Sequence, residues 1–151
     1  MEQIEFIEIK EVYLKSDRTA GNMVILKESE DAKYYFLMFV GDAEATAIAK
    51  EKGLLDIKRP LTHEFYLNIL REAGIEFERV EIWDMKENTY YARVFFKAGG
   101  EEKMIDARPS DSVALALHEN IPILVNKKLF RRELTPEEVK EYEEICKSVK
   151  F

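Results

Sequence analysis

Hydrophobic and polar residues alternate with a period of two at the start of the chain, but the phase does not hold. Ile4 and Phe6 share one parity, Ile7 and Ile9 the other, and Val12 and Leu14 return to the first. The pattern predicts a long opening strand over 4–14 with a bulge or bend. A polar turn over 16–22, ending in Gly21-Asn22, leads to further strands at 23–26 and 34–40, separated by a charged connection. The second of these, Tyr-Tyr-Phe-Leu-Met-Phe-Val, has no polar position, which predicts cover on both faces.

From residue 42 the period becomes helical. Gly41-Asp42 ends the strand, and Asp42 can cap a helix over 43–52 that stops at Gly53, with Glu44 in its first turn. Arg59-Pro60-Leu61-Thr62-His63-Glu64 places an arginine before a proline and a hydroxyl before a second helix. That helix covers about 62–73, with Phe65, Ile69 and Ala73 at fourfold spacing and Gly74 after it. Segments 77–85, 90–97 and 103–107 then read as a three-stranded meander. A two-residue loop at Gly99-Gly100 pairs Lys97 with Glu102, Phe95 with Met104, Val94 with Ile105 and Arg93 with Asp106. A three-residue loop at 87–89 pairs Val80 with Phe96, Ile82 with Val94 and Trp83 with Arg93.

In that register Val80, Ile82, Val94, Phe96 and Ile105 face the core. The opposite face mixes Trp83, Met85, Tyr91, Phe95 and Met104 with Arg93, Lys97 and Glu102, the residue types that interface centres favour. Either the N-terminal strands or a second copy is expected to cover it. The expected oligomer contact is the Trp83, Tyr91, Phe95 and Met104 face.

The densest chemistry lies at 104–117, Met-Ile-Asp-Ala-Arg-Pro-Ser-Asp-Ser-Val-Ala-Leu-Ala-Leu. Arg108 is held extended by Pro109, Ser110 is the natural N-cap of a third helix, and Asp111 stands in its first turn. One reading is a well-made helix start. The other is a phosphate site, because unpaired N–H groups, a hydroxyl and a guanidinium converge there with the carboxylates of Asp106 and Asp111 nearby. The register makes Arg93 the expected partner of Asp106, and neighbouring helix starts would bring Arg59 and Arg108 together. His118, in the last turn, fits ordinary dipole compensation.

Beyond Asn120, a left-handed cap, 122–125 gives a short strand. The basic cluster Lys127, Lys128, Arg131 and Arg132 surrounds Phe130 and is explained by a solvated helix end as well as by nucleic acid. Thr135-Pro136-Glu137-Glu138 predicts a last helix over about 136–149, with Val139, Tyr142, Cys146 and Val149 on one stripe.

Composition narrows the classes. The chain has 151 residues, 46% hydrophobic and 35% charged, enough for one domain with a real core. No apolar run approaches the ~20 residues of a membrane span. The start, Met-Glu-Gln-Ile-Glu, lacks the features of a signal peptide. A cytoplasmic protein is expected, without a disulfide framework, since Cys146 is the one cysteine. The abundance of Lys and Glu beside a single Gln suggests a thermophilic source. A net charge of −7 argues against gripping nucleic acid by a broad basic surface, but not against a metal-dependent nuclease with an acidic site.

Val-Gly-Asp-Ala-Glu-Ala-Thr-Ala-Ile at 40–48, Lys-Arg-Pro-Leu-Thr-His-Glu at 58–64, Asn-Thr-Tyr-Tyr-Ala-Arg-Val at 88–94 and the run 106–117 together resemble the bifunctional nuclease domain family. The resemblance runs from the third strand to about Val125 and implies an α+β fold with DNase and RNase activity, and one such domain is expected over 1–151. Ser112 departs from it, standing where the family usually has alanine. The expected fold has mixed, largely antiparallel strands with a three-stranded meander and about four helices. The family's recurring polar positions fall on Glu44, Arg59, Thr62, His63, Asp106, Arg108, Ser110 and Asp111.

The implied function is metal-assisted phosphodiester hydrolysis. Asp106 and Asp111 would hold magnesium or manganese, and Glu44 and His63 would join them as catalytic groups. Arg59, Arg108, Ser110 and Thr62 would bind DNA or RNA. The alternative is a non-enzymatic, oligomeric binding or regulatory module that recognises a phosphate-bearing ligand or a protein partner.

Overall fold

The computed structural model describes residues 3–19, 21–132 and 137. In it the phase slip of the opening stretch is a change of sheet rather than a bulge in one strand. Strand β1 (Phe6–Glu8) pairs antiparallel with β8 (Ile123–Asn126), whereas β2 (Glu11–Asp17) pairs with β3 (Gly21–Lys27) in a second sheet. The chain crosses at Ile9 and Lys10, whose N–H groups donate to the carbonyls of Ile123 at 2.8 Å and Lys27 at 3.0 Å. Apolar parity resets there because the two segments present their inner sides to one shared core from different sheets.

β4 (Tyr34–Val40) and β9 (Arg131–Arg132) complete the second sheet, antiparallel in the order β2-β3-β4-β9. The first sheet has the order β1-β8-β5-β6-β7, with β5 at Glu76–Lys86, β6 at Thr89–Ala98 and β7 at Glu101–Ala107. Only its β5–β8 pair is parallel, and a parallel pair needs a crossover. Helix α3 (Pro109–Glu119) lies within that crossover and packs on β5 and β6. Helix α1 (Asp42–Glu51) packs on α3, and α2 (Thr62–Glu72) lies against α3 at one side. The fold is therefore α+β, with three α-helices and a 3-10 turn at Lys127–Leu129 among the described residues. The expected helix at about 136–149 lies outside them.

The core lies between the sheets. Val24, Leu26 and Phe36 from one sheet, Val80, Ile82 and Val125 from the other, and Ile48 and Val113 from α1 and α3 are all without exposed surface. Each such side chain contributes about 1.5–3 kcal/mol by leaving water. On β4 only one face is covered: Phe36 and Met38 are buried, but Phe39 is 65% exposed. An apolar run was thus not enough to place that strand between two layers.

The β6–β7 register is the expected one, with Arg93 opposite Asp106 and Lys97 opposite Glu102. The β5–β6 register differs. Val80 pairs with Val94, Glu81 with Arg93 and Ile82 with Ala92, around a two-residue turn at Glu87-Asn88 rather than the three-residue loop. Both turn residues have positive φ, 51° and 63°, as a primed hairpin turn requires. Bulges between Phe77 and Arg79 and between Ile82 and Asp84 keep the apolar residues on the inner face. Ile105, expected in the core, is 57% exposed because β7 is the edge strand and α3 sits over β5 and β6.

On the outer face the sheet's own cations cover the rings. Arg79 stands 3.7 Å from the centre of Phe95, Arg93 4.8 Å from that of Trp83, and Lys86 5.5 Å from Trp83. Buried Glu81 accepts from Arg79 at 3.1 Å and from Arg93 at 2.8 Å. Arg93 therefore turns to Glu81 and not to Asp106, which corrects the expected ion pair: the buried acid on β5 outcompetes the exposed one on β7. Among the described residues no helix is long and apolar enough to cross a membrane.

Candidate active-site groove

The site begins with how α3 starts. Its N-cap is Arg108, extended at φ −74° and ψ 145°, with Pro109 at the first helical position. Ser110, expected as the cap, is instead buried inside the first turn. Buried Ser112 donates its hydroxyl to the Arg108 carbonyl at 3.0 Å and its N–H to the same oxygen at 3.0 Å, so the backbone of Arg108 is held from below. Helix α1 likewise starts one residue early, with Gly41 as N-cap, and Asp42 accepts from the Asn22 side chain at 2.8 Å. The Glu44 carboxylate folds back over Gly41: a Cβ there would lie 2.5 Å from Glu44 Oε2.

These two helix starts meet at one guanidinium. Arg108 donates Nε to Asp111 Oδ2 at 2.8 Å, Nη2 to Asp111 Oδ1 at 3.0 Å and Nη1 to Glu44 Oε1 at 3.0 Å. The bidentate pair with Asp111 and the contact with Glu44 raise the Arg108 pKa, so the side chain is charged throughout the working range. Its side chain is nevertheless 63% exposed and Asp111 57%, whereas Glu44 is 22% exposed. A cation oriented by two acids thus faces solvent.

Arg108, Asp111 and Glu44 line a groove of about 490 Å³ whose other walls include Thr62, His63 and Tyr66 from the start of α2. A neighbouring depression of about 410 Å³, lined in part by Phe39, Asn88, Tyr90 and Ser110, shares Glu44 and Arg108 with it. The guanidinium therefore stands where two arms of a trough meet. Each arm carries an exposed ring, Tyr66 at 58% and Phe39 at 65%.

Behind the groove, the far end of α1 meets the start of α2 and the end of α3. His63 Nε2 lies 2.8 Å from Glu51 Oε1, and His118 Nδ1 lies 3.1 Å from Glu51 Oε2 and 3.6 Å from Glu64 Oε2. Glu64 Oε1 accepts the Leu61 N–H at 2.8 Å and pairs with the Lys50 ammonium, which also donates to the Arg59 carbonyl at 2.8 Å. Burial opposes ionisation of Glu64. The Leu61 N–H, Lys50 and Glu51 outweigh it and bring its pKa from 4.5 down to about 2. Glu51, Glu64 and His118 offer ligand atoms within 4.8 Å of one another, the only group of three or more His, Cys, Asp or Glu so placed among the described residues.

The structure thus brings together Glu44, Thr62, His63, Arg108, Asp111 and, in the adjoining arm, Ser110. Arg59 is exposed and contributes its carbonyl to Lys50, and it is not among the groove-lining residues. Asp106, exposed near the end of β7, carries no hydrogen bond or ion pair among the described residues and is also outside the lining. Sequence reasoning missed Glu51 and Glu64 and gave His118 only a dipole role. One signal was legible: Glu51 ends α1, where the macrodipole disfavours a carboxylate.

The sequence pattern of the bifunctional nuclease domain matches residues 24–138. An uncharacterized protein of Mycobacterium tuberculosis is 32% identical over 133 residues, covering 87% of this chain and 79% of its own. Bifunctional nuclease 1 of Oryza sativa subsp. indica is 24% identical over 116 residues, 75% of this chain and 35% of its own. Bifunctional nuclease 1 of Arabidopsis thaliana is 25% identical over 109 residues, 70% and 34%. This chain therefore spans about a third of those plant proteins. The match over most of its length establishes that the chain belongs to the bifunctional nuclease domain family.

Proposed function

We propose that this protein hydrolyses phosphodiester bonds of DNA or RNA in the trough centred on Arg108, with a divalent cation. The observation that carries the reading is the exposed guanidinium, oriented by Glu44 and Asp111 at the start of α3 and flanked by the rings of Tyr66 and Phe39. A strand lying along the trough would stack bases on those rings and set one phosphate on Arg108. The first-turn N–H groups of α3, which precede the first intrahelical bond, add to the anion site.

A phosphate on Arg108 competes with both carboxylates for it. Glu44 and Asp111 then become the groups to hold magnesium or manganese, which typically bind one or two carboxylates together with substrate phosphate. When bound, that cation supplies neutralisation of charge developing on the phosphoryl group. His63, whose Nε2 is occupied by Glu51, presents Nδ1 as the atom to hold or deliver a proton. Thr62 and Ser110 offer hydroxyls at the two arms.

The second reading, a non-catalytic module for a phosphate-bearing ligand or a protein carboxylate, draws on Arg108 being already paired with two acids in an acidic protein. Homo-oligomerisation through the Trp83, Tyr91, Phe95 and Met104 face and a cytoplasmic location belong to the proposal too. Cleavage of labelled DNA and RNA with magnesium, manganese or EDTA separates the two readings. Metal-dependent cleavage that is lost in Asp111→Asn supports hydrolysis, and binding without cleavage in any metal supports the module.

A further inference from the structure

We propose that Glu51, Glu64 and His118 bind one divalent transition-metal ion, of the zinc or manganese class, at a site separate from the groove. Three helices converge here, and the inward-facing atoms are Glu51 Oε2, Glu64 Oε2 and His118 Nδ1. The contacts of 3.1 and 3.6 Å from Nδ1 bracket the ~3.4 Å edge of a tetrahedron with ~2.1 Å metal–ligand bonds. The site is built from behind as well. Glu51 Oε1 is held by His63 Nε2, and Glu64 Oε1 by Lys50 and the Leu61 N–H, so that in each carboxylate one oxygen is pinned and the other aims at the same point. Such outer partners orient metal ligands.

One ion between these atoms would take a lone pair from the ring nitrogen and from both carboxylate oxygens at once. The mixed imidazole and carboxylate set favours a transition cation over magnesium, which prefers oxygen ligands alone.

The packing of α2 gives an independent reason. Its buried residues are Glu64 and Leu67, while Phe65, Tyr66, Ile69 and Leu70 are 40–58% exposed. Leu67, the Arg71–Glu119 ion pair at 2.8 Å and this polar cluster dock the helix, and α2 carries one wall of the groove. An ion here would staple α2 to the ends of α1 and α3 and fix His63 and Tyr66, whatever reaction the groove performs.

The test is metal binding by the whole chain after removal of metal with a chelator. Equilibrium dialysis against Zn2+, Mn2+ and Mg2+ without nucleic acid or phosphate, so that Glu44 and Asp111 stay on Arg108, should find by elemental analysis a single equivalent of Zn2+ or Mn2+ and none of Mg2+. Affinity should fall by about tenfold or more in His118→Gln and in Glu51→Gln and stay unchanged in Asp111→Asn. Should a variant fail to fold by circular dichroism, the wild-type protein decides. Zn2+ should shift the His118 ring nitrogens in NMR spectra and slow amide exchange in α2. Absence of stoichiometric binding, binding indifferent to His118→Gln, or His118 signals unmoved by Zn2+ would overturn the proposal and leave a proton in the ion's place.

Discussion

Arg108 is useful to a substrate only if its two acids hold it in place without burying it, and Gly41 is what allows Glu44 to do so. A methyl group at residue 41 would meet the end of the flexible Glu44 side chain, not backbone, and φ at Gly41 is −74°, open to any residue. Gly41→Ala should therefore displace Glu44 from Arg108 and cost the fold no more than the ~1 kcal/mol of an alanine at an N-cap. Cleavage assays beside thermal melts check this, with activity falling and the melting temperature lowered by a few degrees at most. A larger loss of stability would show that Gly41 matters to the fold instead. The extended Arg108 before Pro109 and the first-turn place of Asp111 were legible in the sequence, because backbone chemistry sets both, but the cap itself was not: it is Arg108 and not Ser110. The Glu51, Glu64 and His118 cluster was not, because its members lie on three helices and nothing local marks their convergence.

At the level of elements, α2 depends on charge. Glu64 ionises with a pKa near 2 in the folded protein against 4.5 for an ordinary glutamate. A carboxyl depressed in this way contributes stability above the unfolded-state value and loses it as pH falls from about 4.5 towards 2, because the unfolded chain takes up the proton first. Glu64→Gln should lower stability near neutral pH and flatten the acid decline across that window, as read by urea unfolding at several pH values. A decline as steep as wild type would assign the acid sensitivity to other carboxylates.

The elements themselves were mostly visible in the pattern. What the pattern did not carry was partnership: the phase slip at Ile9 reads as a bulge until it is known that two sheets share the core. The β5–β6 register turned on Glu87 adopting positive φ, which a glutamate does not advertise.

For the whole molecule, the two-sheet frame places the starts of all three helices around one trough and leaves the outer face of the first sheet half-covered by its own arginines. Met85 and Met104 there are 46% and 56% exposed. A second copy on that face would give an assembly larger than 17.7 kDa in sedimentation velocity, reduced to the single chain in Met104→Lys. A wild-type protein that sediments as one chain at all concentrations would remove the oligomer from the account.

If Arg108 stabilises the charge that develops in cleavage, single-turnover reaction of an end-labelled strand in magnesium or manganese must distinguish wild type from Arg108→Ala. Wild type should cleave only with metal, and the folded variant should be slower by about 100-fold or more, as for other groups that stabilise developing charge. Equal rates in the two proteins would contradict this role of Arg108, as would a wild-type protein that cleaves with neither metal.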